Sequence, residues 1–441
     1  MKSLRQLMGF LPVLIFLCFT RLGFADQAYI SVGNAKAKKT VLALAAPKAL
    51  ATLSAVANQI SSTLYNDLQF MDIFRFIANE AFLDNSPTSG ITLGSFKMTD
   101  WSSIGVEFLV KSAVTEDESN LLFEVHVFEV NSAKEVLSKR FIGPKTDLKT
   151  IAHTAANEIV RTLTGLPGVF LTKIVSSCGK KDRKELYIMD YDGTNVKQVT
   201  FHKSNAFAPA WSPAGDRIAY SLVTKRSNNV RNIDLWELSF ATNTVRRLSN
   251  RMGINSGAAY SPDGTAIAMT MSFLGNPEIF ALRPEAGTVT QLTKSFGFDV
   301  DPTWSPDGKW LAFVSSRTGM PMVYKMASDG NKLQRLTYAG RYNATPSWSP
   351  QGDRIAFAGW IDNLFDIFLM DVDGKKIERL TKAQGNNEDP SFSPDGNFIV
   401  FSSNRAGGKN LYVMNVDGTF VKRLTYGLGD CVAPKWSLPP K

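Results

Sequence analysis

The chain has 441 residues, 44% apolar and 11% aromatic, enough for two domains with a sizeable core. Its formal charge of +9 is mild, and Lys and Arg are scattered without interleaved aromatics, which excludes a nucleic-acid footprint. Only three histidines occur, His126, His153 and His202; they fall in separate predicted elements and make no metal-spaced pair.

Residues 1–25 read as a secretory signal. Lys2 and Arg5 form a charged start, Leu7 to Phe19 an apolar stretch, and Gly23-Phe24-Ala25 a small-residue cleavage site. The apolar stretch is short for a membrane span and contains Pro12. Leu17 precedes Cys18, where lipoprotein processing wants a small residue. The mature chain is therefore expected to start at Asp26, exported and not membrane-spanning. Removing Lys2, Arg5 and Arg21 leaves a charge of +6. Residues 26–40 form a polar, basic N-terminal segment in which Tyr29, Ile30 and Val32 could make one short strand. It either frays or adds to a partner's sheet.

Residues 41–165 change period. Val41 to Leu44 predicts a buried strand and Ala49 to Asp67 a helix, with Leu53, Val56, Ile60 and Leu64 on one face. Met71 to Phe82 is apolar and ambiguous. Glu107 to Val114, Leu121 to Val130 and Val136 to Phe141 predict three strands. Asp147 caps a last helix that stops at Gly165, before Pro167. These elements make a small α/β domain. Pro47 and Ala45-Ala46 follow its first strand where a phosphate loop would need glycines.

From residue 166 to 441 the chain repeats. Trp211-Ser212-Pro213-Ala214-Gly215, Tyr260-Ser261-Pro262-Asp263-Gly264, Trp304-Ser305-Pro306-Asp307-Gly308, Trp348-Ser349-Pro350-Gln351-Gly352 and Phe392-Ser393-Pro394-Asp395-Gly396 are copies of one turn, and Trp436-Ser437-Leu438-Pro439 is a worn sixth. The five steps between the serines are 49, 44, 44, 44 and 44, a repeat array. Pro presets φ, Asp bonds back to the backbone and Gly takes a positive φ. Four short strands follow per repeat, which is a propeller blade. The array opens without a first strand: Val169 to Ser177, Leu186 to Met189 and Val196 to Thr200 read as second, third and fourth. It ends on an orphan first strand, Val432 to Trp436. A six-bladed β-propeller closed by the C-terminal strand follows, with no open ring edge.

After signal removal two cysteines remain. Aligning the repeats puts Cys178 where Arg317 stands and Cys431 where Asp299 stands, at one end of one blade. A Cys178–Cys431 disulfide would fasten the ring; the alternative is two buried thiols. The loops leading into each first strand crown the channel mouth. They offer Asn205, Phe207, Ile254, Asn255, Gly257, Phe298, Asp299, Val300, Asp301, Tyr342, Asn343, Asn387, Glu388, Asp389 and Asp430. Such residues suit turns, or a polar funnel with apolar anchors that grips a protein loop. Asp299, Asp301, Glu388, Asp389 and Asp430 could also hold Ca²⁺; otherwise no cofactor is expected. No nucleophile elbow is present, so the chain is not expected to be an enzyme.

The order of signal, small α/β domain and six Ser-Pro-Asp-Gly blades resembles the TolB family of periplasmic Tol–Pal proteins. So do His153-Thr154-Ala155-Ala156-Asn157-Glu158 followed by Leu163-Thr164-Gly165, and Asp190-Tyr191-Asp192-Gly193. The resemblance implies a non-enzymatic adaptor in the periplasm. It would bind the lipoprotein Pal at the mouth, with Ile254, Gly257 and Val300 at positions the family uses, and TolA through the N-terminal segment. Other outer-membrane proteins are possible partners. It would support outer-membrane integrity and constriction at division. Two alternatives stay open: a periplasmic propeller enzyme acting on carbohydrate or peptide, and a propeller scaffold with a different protein partner.

Overall fold

The computed structural model describes residues 38–84, 89–227 and 229–440. The signal read over residues 1–25 and the strand residues Tyr29, Ile30 and Val32 lie outside the described residues. Among the described residues no helix is long and apolar enough to cross a membrane.

The N-terminal domain is a mixed sheet with helices packed on it. Its elements are β1 (Thr40–Leu44), β2 (Lys48–Ala49), α1 (Ser54–Phe70), β3 (Phe74–Phe76), α2 (Met98–Ser102), β4 (Phe108–Glu116), β5 (Asn120–Glu129), β6 (Lys134–Pro144) and α3 (Leu148–Thr164). The sheet order is β3-β1-β4-β5-β6, with β2 beside β4. β1 runs parallel to β3 and β4, and the rest of the main path is antiparallel. Every residue of β1 is buried, as a strand covered on both faces requires. α1 starts at Ser54, later than the predicted Ala49, because Lys48–Ala49 pairs with β4 and Ala51–Leu53 forms a 3-10 turn. The Asp147 carboxylate accepts from Thr150 N, and Gly165 ends α3 at φ 74°, as the capping residues predict.

The propeller has six four-stranded antiparallel blades, as the repeat count predicts. Blade 1 is Asp430–Trp436, Lys173–Lys180, Arg183–Asp190 and Lys197–Gln198. The first strands of blades 2 to 6 are Ala206–Trp211, Asn255–Tyr260, Asp299–Trp304, Asn343–Trp348 and Asn387–Phe392. The C-terminal strand thus completes the first blade. The second strand of blade 1 begins at Lys173, not at Val169. Val169 and Phe170 pack into the core beneath α3 instead, where the Asn157 side chain accepts from Phe170 N.

A Cys178–Cys431 disulfide joins the two strands of blade 1 that the ring closure brings together. The repeat alignment was two residues out. Cys178 stands directly opposite Cys431 in the ladder, as Ser315 stands opposite Asp299, and Arg317 lies beyond.

In each repeated turn the serine hydroxyl accepts the N–H five residues on. The pairs are Arg217 to Ser212, Ala266 to Ser261, Trp310 to Ser305, Arg354 to Ser349 and Phe398 to Ser393. In blade 1 the partner is Lys173 N, 2.9 Å from Ser437 Oγ across a separation of 264 residues. The worn sixth copy therefore makes the same bond between the two ends of the propeller.

The N-terminal domain docks on the face that carries these turns. One hydrophobic cluster runs from β1, α1 and α3 into blades 1 and 6. At the junction the buried Asp67 carboxylate accepts from Tyr191 Oη at 2.6 Å and pairs with His153 Nδ1 at 2.7 Å. Burial pushes Asp67 up, against the opposing pull of His153 and Tyr191. Burial and the Asp67 charge push the Tyr191 phenol far above its ordinary value. The opposite mouth of the channel is left to the loops.

Candidate functional site at the channel mouth

The first strands line the channel, and each carries the same irregularity. The antiparallel register slips after the second paired residue in blades 2 to 6 and after the third, Val432, in blade 1. The slip puts one residue per blade at positive φ: Ala208 at 47°, Gly257 at 62°, Asp301 at 55°, Thr345 at 46°, Asp389 at 57° and Ala433 at 50°. A β-bulge re-aims a side chain, and all six of these residues line the channel wall. Positive φ is unusual for Asp and more so for β-branched Thr. Backbone of this kind tends to gather at functional sites.

The residues expected at the mouth separate into two groups. Asn255, Asp299, Asn343 and Asn387 open their strands but are buried, so their side chains are not presented to a partner. They fix the backbone where each strand begins. Asn255 donates to the Ile233 and Arg251 carbonyls, and Asn343 to Ala339 O. Asp299 pairs with Arg317 at 2.8 Å, and Asn387 accepts from Arg405 at 2.8 Å. Asn205 is also occupied, accepting from Lys184 N. A polar residue just before a strand has a strong structural use here, because the arriving backbone needs a partner.

The second group faces outward or into the channel. Phe207, Val300 and Glu388 share the second position of their strands with Ala344, and Ala344 and Glu388 line a cleft. Ile254 and Phe298 are half-buried at the lip, their N–H groups held by Ser272 and Ser316 hydroxyls. Gly257 lies against the Asp301 carboxylate; a Cβ there would come 3.3 Å from Asp301 Oδ1. Asp430 is held by Lys409 N at 2.8 Å.

The cleft has a volume of about 620 Å³ and opens between blades 4, 5 and 6. Tyr342, Trp360 and Phe365 wall one side: Phe365 meets Tyr342 edge-on at 5.7 Å and Trp360 at 4.9 Å. Asp301 of blade 4, Glu388 and Asp389 of blade 6 and Thr345 also line the cleft, with Arg341 exposed at the lip. Glu388 pairs with Lys409 at 2.9 Å. Asp389 accepts from Ala433 N and Ser402 Oγ. The Asp301 carboxylate accepts no hydrogen bond from any described residue. Enclosure by the channel wall, with Asp389 nearby, pushes its pKa up to about 6. Deeper in the channel, burial pulls Lys435 down, and its ammonium forms no ion pair among the described residues. Sequence reading placed Arg341 and Ala344 in a rim loop but missed Thr345, Trp360, Phe365 and Lys435. Five of the six bulges are followed by proline, Pro209, Pro302, Pro346, Pro390 and Pro434, and that recurrence could have marked the ring.

Of the five carboxylates considered for Ca²⁺, only Asp301, Glu388 and Asp389 share the cleft. Asp299 is buried on Arg317, Glu388 is on Lys409, and Asp430 caps a neighbouring loop. Among the described residues no three His, Cys, Asp or Glu side chains are grouped as metal ligands.

Residues 160–437 match the family described as the TolB beta propeller domain, and residues 28–136 match the TolB amino-terminal domain. The chain is 34% identical over 275 residues to the Tol-Pal system protein TolB of Desulfosudis oleivorans, covering 62% of this chain and 61% of that one. It is 36% identical over 212 residues to the protein of the same name from Geobacter metallireducens, covering 47% and 49%. The matched region thus spans about half to three fifths of these relatives' length. The crystal structure of TolB from Acinetobacter baumannii superimposes with a TM-score of 0.79 at 24% identity, covering 93% of this chain and 100% of that one. That likeness supports the two-domain fold.

Proposed function

This chain belongs to the TolB family, and on that premise we propose that it is a non-enzymatic adaptor of the Tol–Pal system, working in the periplasm. The mouth of the propeller docks the lipoprotein Pal, and residues 26–40 engage TolA. The work done is mechanical linkage across the envelope, supporting outer-membrane integrity and constriction at division. The observation that carries this reading is the mouth itself. It is an open cleft of about 620 Å³ with three aromatic side chains and uncommitted polar groups, on the face the N-terminal domain leaves uncovered. Aromatic anchors in a polar rim are the usual make-up of a protein-binding hot spot. Coupling between the two partners would be a linkage effect: occupancy of the mouth would bias whether residues 26–33 lie docked or free.

The test is capture from a detergent-solubilised envelope extract by the tagged mature chain. Recovery of a peptidoglycan-associated lipoprotein is expected, with loss of that band in Val300→Asp. Val300 stands at the strand position that Glu388 and Ala344 use to line the cleft. Failure to recover such a lipoprotein, together with turnover of an envelope oligosaccharide, would replace the adaptor by an enzyme.

A further inference from the structure

The cleft holds a carboxylate that the protein itself leaves without a donor. Asp301 lies in the left-handed bulge of its strand at φ 55°. No described side chain or backbone N–H donates to its carboxylate, and no described Lys, Arg or His lies within salt-bridge distance. Of the acids beside it, Glu388 is satisfied by Lys409 at 2.9 Å. Asp389 is held by Ala433 N at 3.0 Å and Ser402 Oγ at 3.2 Å. Lys435, deeper in the channel, is ion-paired with neither Asp301 nor Asp389. Asp301 and Asp389 thus share the field of one buried ammonium, Lys435, two carboxylates to one cation. In the same cleft the Thr345 hydroxyl is buried, with no hydrogen-bond partner among the described residues. The rings of Tyr342, Trp360 and Phe365 line the same cleft, and the Asp301 charge acts on the Tyr342 phenol. Arg341 is exposed at the lip and pairs with no described acid.

A carboxylate sharing a cleft with an aromatic wall is the chemistry that recognises an organic cation. The rings offer their negative faces to the charge and cover its alkyl stem, while the carboxylate accepts its N–H groups. We infer that this cleft is the receptor for a lysine or arginine side chain of the docked protein, with Asp301 as its counter-ion and Trp360 and Tyr342 as its cage. The inference rests on the reading of the mouth as a protein-docking face, and names the group that face selects.

The probe is Nα-acetyl-lysine methylamide, titrated into the full mature chain while the Trp360 indole N–H resonance is followed by NMR. Trp360→Phe assigns that resonance. The Nε-acetylated form of the probe is the neutral control, and capture of Pal is measured on the same preparations. The charged probe is expected to shift the Trp360 signal saturably and the neutral one not to. Asp301→Asn keeps the shape, and Asn tolerates positive φ, so it should fold. It is expected to weaken the probe about tenfold, the usual worth of a hydrogen bond to a charged group, and to weaken Pal in parallel. Trp360→Leu, checked by an unchanged melting curve, should weaken both as well. Equal response to charged and neutral probes, or an unaltered affinity in Asp301→Asn, overturns the cation site even if Pal is captured. Probe binding at Trp360 without Pal capture upholds the cation site and overturns the Pal reading.

Discussion

Asp301 shows how one residue links position, charge and stability. A bulge places its carboxylate inside the channel, and enclosure lifts its pKa from 3.8 to about 6. The unfolded chain would ionise it near the ordinary value, so between roughly pH 4 and 6 the folded protein holds a proton the unfolded one has released. The sign follows: stability from this group is fully present below the unfolded pKa and is lost as pH rises through the folded one. Above pH 6 the cost levels off at no more than about 3 kcal/mol, since one pKa step is worth about 1.4 kcal/mol. Asp301→Asn cannot ionise and removes that cost. Urea denaturation at pH 7.5 should therefore show the variant more stable than the parent, by about 1–3 kcal/mol. At pH 4 the two curves should converge. A variant less stable than the parent at pH 7.5 would mean that Asp301 has a donor in the folded protein after all.

The turn motif shows what an element needs from its residues. Ser305 Oγ takes the Trp310 N–H at 2.9 Å and gives its own proton to Asp307 at 2.6 Å, and Gly308 sits at φ 70°. Ser305→Ala leaves a backbone donor without its partner and should cost about 1–2 kcal/mol. Gly308→Ala should cost about 1 kcal/mol from positive φ alone, because its new Cβ would meet only Pro262 at 3.7 Å. Ser437→Ala breaks the equivalent bond between the ends of the propeller, so its loss of stability in urea should be at least that of Ser305→Ala. A smaller loss would make the sixth copy vestigial. The five complete turns were legible in the sequence because each bond joins residues two to five apart and recurs with the blade period. The cleft was not. Trp360 and Phe365 flank the tip of the hairpin formed by Arg354–Ile361 and Leu364–Asp371, and only the blade's pairing brings them beside Tyr342. Lys435 resembles an ordinary strand residue until the bulge after Val432 is known. Asn255, Asp299, Asn343 and Asn387 were misread for the converse reason. A polar residue in a rim loop looks available for binding until the neighbouring strands supply its partners.

At the scale of the whole molecule, two devices join distant parts of the chain. The ring is closed by the C-terminal strand and by Cys178–Cys431, across a separation of 253 residues. Chain entropy sets the contribution of a loop that long at no more than about 5 kcal/mol. Replacing both cysteines by Ala should lower the melting temperature, and reductant should then have no further effect; an unchanged melting temperature would show that strand pairing alone closes the ring. The second device is the junction of the domains. Phe70, near the end of α1, packs on Tyr191 at 4.8 Å and on Phe398 at 4.9 Å. Asp67, one turn earlier, binds Tyr191 and His153. A single hydrophobic cluster crosses the boundary, so the two domains should not unfold independently. In calorimetry the parent should give one cooperative transition. Phe70→Ala removes the ring that reaches both blades, at a cost of about 3–5 kcal/mol. Asp67→Ala strips the Tyr191 hydroxyl and the His153 imidazole of their buried acceptor, costing about 1–3 kcal/mol. Both costs fall on the contact between the domains and spare the outer blades. The double variant should therefore resolve two transitions, the N-terminal domain melting first. If it gives one transition merely moved to lower temperature, the coupling runs through Val169 and Phe170 at the domain connection instead, and the Asp67–Tyr191 contact only adds to it.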